Sequence, residues 1–475
     1  MLETTSFPQI IQGGMGVAVS NWRLARAVAS RGQLGVVSGT VIDTVFIRRL
    51  QDGDPEGHMR RAMAHFPIAR VAQEVLRRYW SSAGRPAGRA YRLLSLPRAK
   101  VPPARRELMM LAAFVEVWLA KEGHDGPVGM NLLTKVQIPN LPTLYGAMLA
   151  GVDCVLMGAG IPRDIPGALD LLAEHRPARL RIEVEGATDH PGIVLEFDPR
   201  EHWATLPPPL ARPRFLPIVA SNSLATLLAR KASGRVDGFV VEGPIAGGHN
   251  APPRGPALFN DRGEPLYGDR DVVDLAALKA LGLPFWVAGG AGHPESLRAA
   301  HDAGAAGVQV GTLFAYCEES GLAPELKSSV LEHAMRSEVT VRTDARASPT
   351  GYPFKVVDWP GNPARGVVRE RVCDLGYLRV AYRTPEGRIG YRCAGEPEDQ
   401  YLSKGGRSED TTDRQCLCNG LTAAVGLAQV RKNGVVELPV VTSGDDLIGI
   451  AGFLAGRLRY TAADVIDYLL AGAPA

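Results

Sequence analysis

Long apolar runs are missing from this chain. No stretch reaches the roughly 18–20 apolar residues that a membrane-crossing helix needs, so no membrane association is expected. Cysteine is scarce, at six in 475 residues. That is too few for a disulfide scaffold, and a reducing, cytoplasmic compartment is the expectation. An excess of one charge is also missing, with 53 Lys and Arg against 50 Asp and Glu and a formal net charge of +3. A dedicated nucleic-acid binder carries a larger positive balance, so no nucleic-acid partner is expected. There is no GxxxxGK[ST] motif, which argues against a nucleotide triphosphatase. The opening residues, MLETTSFPQIIQGGMG, have neither a basic stretch nor a long apolar core, so they do not read as a secretory leader. Internal repeats and low-complexity tracts are absent as well. What remains is 45% hydrophobic and 22% charged residues, the mix of a globular enzyme. Its 53 glycines and 36 prolines predict many tight turns.

Eight short, near-continuous apolar runs predict buried parallel strands. They are PQIIQGG at 8–14, LGVVSG at 34–39, PVGMNLL at 127–133, VDCVLMGAG at 152–160, FLPIVAS at 215–221, GFVVEG at 238–243, PFWVAGG at 284–290 and GVQVGTLF at 307–314. Amphipathic stretches separate them, which suggests an α/β fold of the (β/α)₈ TIM-barrel type, with a doubly wound open sheet as the rival. Residues 1–50 and 127–355 are assigned to the barrel and 51–126 to a helical insertion or lid. Within the insertion, helical pieces around 57–80 and 105–122 flank a Pro/Arg-rich loop at 84–104. Residues 179–213 hold two strand-like pieces, RLRIEVEG and GIVLEFD. Helix is expected at PELKSSVLEHAM, 324–335. Residues 356–475 read as an α-rich, Cys-containing C-terminal extension with an irregular middle and helices at 420–431, 445–457 and 461–471.

Two glycine clusters lie where a barrel commonly binds phosphate, on the loops after its seventh and eighth strands. The first is Ala288-Gly289-Gly290-Ala291-Gly292, before a helix beginning near Pro294; the second is Gly311-Thr312. Small residues let backbone N–H groups approach an anion, and a helix start adds a favourable dipole. The strongest single feature follows the sixth strand, VEGPIAGGH at 241–249. Its two glycines leave the imidazole of His249 uncrowded, and histidine titrates near neutrality, which suits acid–base work. Arg254, five residues on, is a candidate for binding a carboxylate or phosphate.

Taken in order, PQIIQGGMG at 8–16, GMNLL at 129–133, GAGIP at 158–162, VEGPIAGGH at 241–249, WVAGGAG at 286–292 and GVQVGTLF at 307–314 carry a resemblance over roughly residues 8–355. With SPTGYP at 348–353, which looks like a site-closing segment, the chain resembles the nitronate monooxygenase family, FMN-dependent barrels that also include flavin-dependent enoyl reductases. The resemblance implies that Gln12, Gly13, Gly14 and Met15 lie against the flavin ring and that Asn131 hydrogen-bonds the flavin. It implies that Gly289, Gly290 and Gly292 cradle the FMN phosphate, that Gly311 and Thr312 complete the cradle, and that His249 is the catalytic acid or base or positions the substrate over the flavin. The chain departs from the family at Pro244-Ile245, where an acidic residue is usual, and at Ser221, where strand five commonly carries lysine.

Three functions follow. The first is oxidation of alkyl nitronates with oxygen. The second is NAD(P)H-dependent reduction of enoyl thioesters in fatty acid or polyketide synthesis. The third, of another class, is a non-catalytic flavin-binding partner subunit. All three imply a small-molecule ligand, and a homo-oligomer is a candidate assembly. Residues 59–106 hold twelve Lys or Arg against one acid, Glu74, so an acyl carrier protein is a candidate partner, weighed against a simply solvated face. Cys373, Cys393, Cys416 and Cys418 are weighed as metal ligands against a redox pair or buried thiols, since their spacing lacks a CxxC pair. Cys154 and Cys317 read as core residues.

Overall fold

In the computed structural model, residues 7–186 and 192–471 are described. The part of the leader reading that rests on residues 1–6 lies outside them. All eight apolar runs form strands of one sheet: Ile10–Gln12, Gly35–Ser38, Val128–Leu133, Cys154–Gly158, Arg214–Val219, Phe239–Glu242, Phe285–Ala288 and Gly307–Val310. Every neighbouring pair in this sheet is parallel, in the spatial order first, eighth, seventh, sixth, fifth, fourth, third, second. A parallel bridge between Ile11 and Leu34, with Gln12 N–H donating to the Leu34 carbonyl at 3.0 Å, joins the two ends. The sheet is therefore a nearly closed (β/α)₈ barrel.

Continuous apolar runs suit this geometry because a barrel strand is buried on both faces. Ile11, Leu34, Val36, Leu156, Leu216, Val240 and Trp286 fill the interior. A second, larger apolar layer lies between the strands and the outer helices. The indole N–H of Trp286 donates to the Pro8 carbonyl at 2.8 Å and ties the N-terminal end of the first strand to the interior.

The helical ring contains two departures from the sequence expectation. The helix Pro103–Lys121, read as part of an insertion, packs on Trp22–Ala29 and Asn140–Leu149 and serves as the barrel's second outer helix. Its Glu116 accepts from the Trp22 N–H at 2.8 Å and pairs with Arg49 at 2.7 Å. The last helix of the chain, Ala462–Leu470, packs against both Trp22–Ala29 and Pro294–Asp302, so it closes the ring between the seventh and first units.

The C-terminal region covers the barrel mouth. Leu375, Tyr377, Leu378, Leu417 and Val440 share one apolar cluster with Val17, Val41 and Val136 from the barrel loops. The expected 420–431 helix is Leu417–Ala424, and Gly426, at φ +76°, turns the chain where the helix was expected to continue. The 445–457 helix is broken into Asp445–Leu447 and Ile450–Leu454. The region is also less purely helical than expected. Val380–Arg383 and Ile389–Arg392 form an antiparallel hairpin, and Val184–Glu185 joins its edge. The two strand-like pieces near 179–198 pair as Ala178–Ile182 with Ile193–Phe197. Thr340–Asp344 pairs with Phe354–Asp358, so the 355/356 boundary falls within a strand.

Candidate functional site

One large cavity opens at the C-terminal ends of the barrel strands. Its wall brings together Gly13, Gly14, Met15, Asn131, His249, Gly289, Gly290, Gly311 and Thr312. Strand ends deliver each of these residues, which is why sites separated by up to 299 positions in the chain (312 − 13) share one wall.

Two of the sequence-predicted residues lie off that wall. Gln12 is fully buried, and both ends of its amide are used within the protein. Its Oε1 accepts from Val36 N–H at 2.9 Å, and its Nε2 donates to Ser20 Oγ at 2.7 Å and to the Gly13 carbonyl. It pins the end of the first strand, with no polar atom left to face a ring. Gly292 has its N–H taken by Asp446 Oδ2 at 3.1 Å.

Gly14 allows the close approach of the first and third strands. A Cβ there would lie 2.1 Å from the Asn131 Cβ. Asn131 Nδ2 donates to the Gly14 carbonyl at 3.0 Å, while its Oδ1 is buried and unpartnered. Gly289 and Gly290 adopt φ of +88° and +69°, conformations that suit glycine and bend the loop before the helix Pro294–Asp302.

His249 Nε2 lies 2.7 Å from Ser348 Oγ, and Phe354 meets the ring edge-on at 4.8 Å between centroids. The Lys355 N–H donates to the Gly248 carbonyl and the Asn250 N–H to the Pro353 carbonyl, both at 2.9 Å. The segment SPTGYP thus lies directly along the histidine loop. Burial holds the His249 imidazole down to about 4, so it is neutral at physiological pH.

Glu242 is the residue the sequence reading did not single out. It ends the sixth strand and lines the large cavity and a second one that also contains His249, Arg254, Tyr267 and Tyr352. Burial pushes its carboxyl up to about 8, so at neutral pH the group is largely protonated and can donate. Its place inside the quoted VEGPIAGGH motif was the available signal; its desolvation depends on residues distant in sequence. Arg254 is held by its Nη2 donating to the Ala220 carbonyl and by its N–H donating to Asp271 Oδ1, both at 2.9 Å. Ser221, found where the family commonly has lysine, caps the helix Asn222–Lys231 by accepting from Leu224 N–H at 3.1 Å.

Of the twelve cations in 59–106, Arg60, Arg61, Arg70, Arg77, Arg85, Arg105 and Arg106 are paired with carboxylates, most of them from outside that stretch. Among the described residues, no three His, Cys, Asp or Glu side chains are arranged to hold a metal. The Cys373 and Cys393 thiols hydrogen-bond to each other, and Cys416 and Cys418 lie in the same apolar region. Burial pushes the Cys416 thiol up to about 12. Cys154 and Cys317 are buried in the core. No described helix is long and apolar enough to cross a membrane.

A nitronate monooxygenase family model matches residues 212–351, which carry strands five to eight and the His249 loop. The chain resembles the nitronate monooxygenase family. A curated relative, a probable nitronate monooxygenase of Bacillus subtilis (strain 168), is 38% identical over 97 residues, 20% of this chain. The matched stretch spans about a quarter (26%) of that relative's length. Among solved structures, the enoyl reductase domain of MlnA from the macrolactin biosynthesis cluster of Bacillus amyloliquefaciens aligns with a TM-score of 0.50 at 12% identity, covering 98% of this chain and 93% of that one. FabK from Thermotoga maritima aligns with a TM-score of 0.44 at 17% identity, covering 98% and 92%. At 12% identity the MlnA likeness is one of fold.

Proposed function

We propose that the protein is an FMN-dependent oxidoreductase resembling nitronate monooxygenase, acting on a small organic molecule. The observation that carries this reading is the single cavity that joins a glycine cradle, the Asn131 amide, His249 and Glu242. Three features support the fit to FMN. Gly14 lets the loop after the first strand press against Asn131 at the cavity wall, Asn131 Oδ1 is a buried acceptor without a partner, and the Gly289-Gly290 bend precedes a helix start. Gly289, Gly290, Gly311 and Thr312 would hold the phosphate, Gly13, Gly14 and Met15 would face the ring, and Asn131 would accept from its edge. Bound FMN supplies the electron transfer, and the protein supplies orientation and proton handling.

His249 and Glu242 divide the proton work. A neutral imidazole takes a proton from a carbon acid, and Ser348 fixes the orientation of its ring. A protonated carboxyl gives a proton to a developing carbanion or oxyanion. Nitronate oxidation uses the base, to ionise a neutral nitroalkane, with oxygen as the final electron acceptor. The family match over 212–351 supports this substrate.

A second reading is NAD(P)H-dependent reduction of enoyl thioesters, and the shape of the cavity favours it. Beyond the glycine cradle the wall is apolar, formed by Val17, Val41, Val136, Leu378, Leu417 and Leu421. Such a wall suits a longer hydrocarbon than a small nitroalkane offers. The Glu242 carboxyl would donate the proton to the carbon next to the one that takes the hydride. An acyl carrier protein belongs to this reading as substrate carrier, although the seven paired cations weaken the electrostatic case for it.

Anaerobic reduction of the purified, flavin-loaded protein separates the two. Rapid bleaching by NADPH or NADH is the expected result for the reductase, and bleaching by a nitronate alone is expected for the oxidase. A protein that takes up no FMN on reconstitution sinks both. If the protein is the reductase, Glu242→Gln should remove the alkaline limb of the rate profile near pH 8 and keep the bound flavin. An alkaline limb unchanged in the variant would exclude Glu242 as the donor.

A further inference from the structure

Residues Thr442–Asp446, from the C-terminal region, lie across the three loops that carry the glycine cradle. Gly248 N–H donates to Thr442 Oγ1 at 2.9 Å, on the loop after the sixth strand. Asp445 N–H donates to the Ile245 carbonyl of the same loop at 3.0 Å. Gly444 N–H donates to Thr312 Oγ1 at 3.1 Å, after the eighth strand. Gly292 N–H donates to Asp446 Oδ2 at 3.1 Å, after the seventh. The buried Lys355 ammonium holds Asp445 Oδ1 at 2.7 Å and anchors the strap from below.

The fit of this strap depends on glycine on both sides. A Cβ on Gly247 would lie 2.8 Å from the Gly444 nitrogen, and one on Gly444 would lie 2.9 Å from Thr312 Oγ1. A Cβ on Gly292 would lie 2.8 Å from Asp446 Oδ2. The strap is therefore built into the cradle. Ser443, Gly444 and Asp446 line the same cavity as Gly289, Gly290 and Thr312.

The strap has two opposite effects on an anion. Because Thr312 Oγ1 accepts from Gly444, its own proton is free to point into the cavity, which helps an anion. Asp446 instead takes the Gly292 amide near the start of the helix Pro294–Asp302 and places a carboxylate beside the cradle. Negative charge on this carboxylate would disfavour a dianion held in the cradle, and partial burial limits screening.

The geometry points to Asp446 as a residue that sets how strongly this protein discriminates a phosphorylated flavin from an unphosphorylated one. This inference rests on the FMN reading above. Asp446 opposes only the phosphate end, so it weakens FMN binding and leaves binding of the ring unchanged. It is a specificity residue, with no part in the chemistry at the ring.

The test is flavin affinity, measured by fluorescence quenching with FMN and riboflavin on the full chain at fixed ionic strength. Asp446→Asn keeps an acceptor for the Gly292 N–H and removes the charge. It should tighten FMN about tenfold and leave riboflavin within about twofold. Asp446→Ser, which also removes the charge, should shift the ratio in the same direction and guards against a folding defect in one variant. An unchanged ratio of FMN to riboflavin affinity in both variants overturns the inference and leaves the FMN reading intact. Absence of binding of either flavin by the wild type and both variants overturns the FMN reading and this inference with it.

Discussion

Replacing His249 by alanine is expected to lower turnover by about 10²–10⁴-fold while FMN stays bound, the usual contribution of a positioned acid or base. The residue lines the cavity on a loop separate from the Gly289-Gly290 and Gly311-Thr312 cradle, so cofactor retention and turnover should come apart. Flavin content is read from the visible absorption of the purified variant and turnover from steady-state kinetics. The pH profile adds a second check. The neutral imidazole is the form able to accept a proton, and it is lost as pH falls through about 4. The protonated Glu242 carboxyl is the form able to donate, and it is lost as pH rises through about 8. A plateau between these limbs is expected for the wild type. His249→Ala should lose the acid limb along with most of the rate. Ser348→Ala, which removes only the partner 2.7 Å from Nε2, should cost less than His249→Ala and keep both limbs. Full turnover in His249→Ala would remove the residue from the chemistry.

The largest stability effect is expected at a buried ion pair that joins three parts of the molecule. Asp43, on the helix Ile42–Gln51, pairs with Arg105, on Pro103–Lys121, at 2.7 Å, with side-chain exposures of 2% and 8%. Tyr377, from the C-terminal region, donates to Asp43 and lies 2.8 Å from Thr44 Oγ1 and 3.2 Å from Arg105 Nη2. Tyr377 also lines the cavity. Asp43→Ala leaves the Arg105 cation buried without its carboxylate, and breaking such a pair costs about 3–5 kcal/mol. The midpoint of urea or thermal unfolding should fall accordingly. Removing both charges, as Asp43→Ala with Arg105→Met, should recover most of the loss, because the main penalty is the unpaired charge. A single variant as stable as the wild type would show that the site is hydrated and that the pair contributes little.

The barrel was legible because its signals are local. A strand buried on both faces must be apolar along its length, so eight such runs reported eight strands, down to Ile10–Gln12 and Phe285–Ala288. The glycine cradle was legible for the same reason. A backbone at φ +88° and +69° selects glycine at 289 and 290 whatever packs around it. The position of His249 followed from the sixth strand, since strand ends face one mouth of a barrel.

Other features depend on neighbours remote in sequence, and only the tertiary structure decided them. Gln12 sits inside the same glycine-rich motif as Gly13, yet its amide is spent on Val36 and Ser20. The sequence marks Ala462–Leu470 as helical, but its place in the barrel ring comes from packing on Trp22–Ala29 and Pro294–Asp302. The irregular stretch around 442–446 carries no motif, and its role at the cradle comes from contacts with Gly248, Thr312 and Gly292. Glu242 and His249 are ordinary titratable residues in the chain. Desolvation by walls drawn from across the fold makes one a neutral acid and the other a neutral base. Backbone conformation and two-sided burial select residue types position by position, so the sequence by itself determined the strands and the glycine turns. Charge environment and docking sum over contacts hundreds of residues apart, so they exist only once the chain has folded.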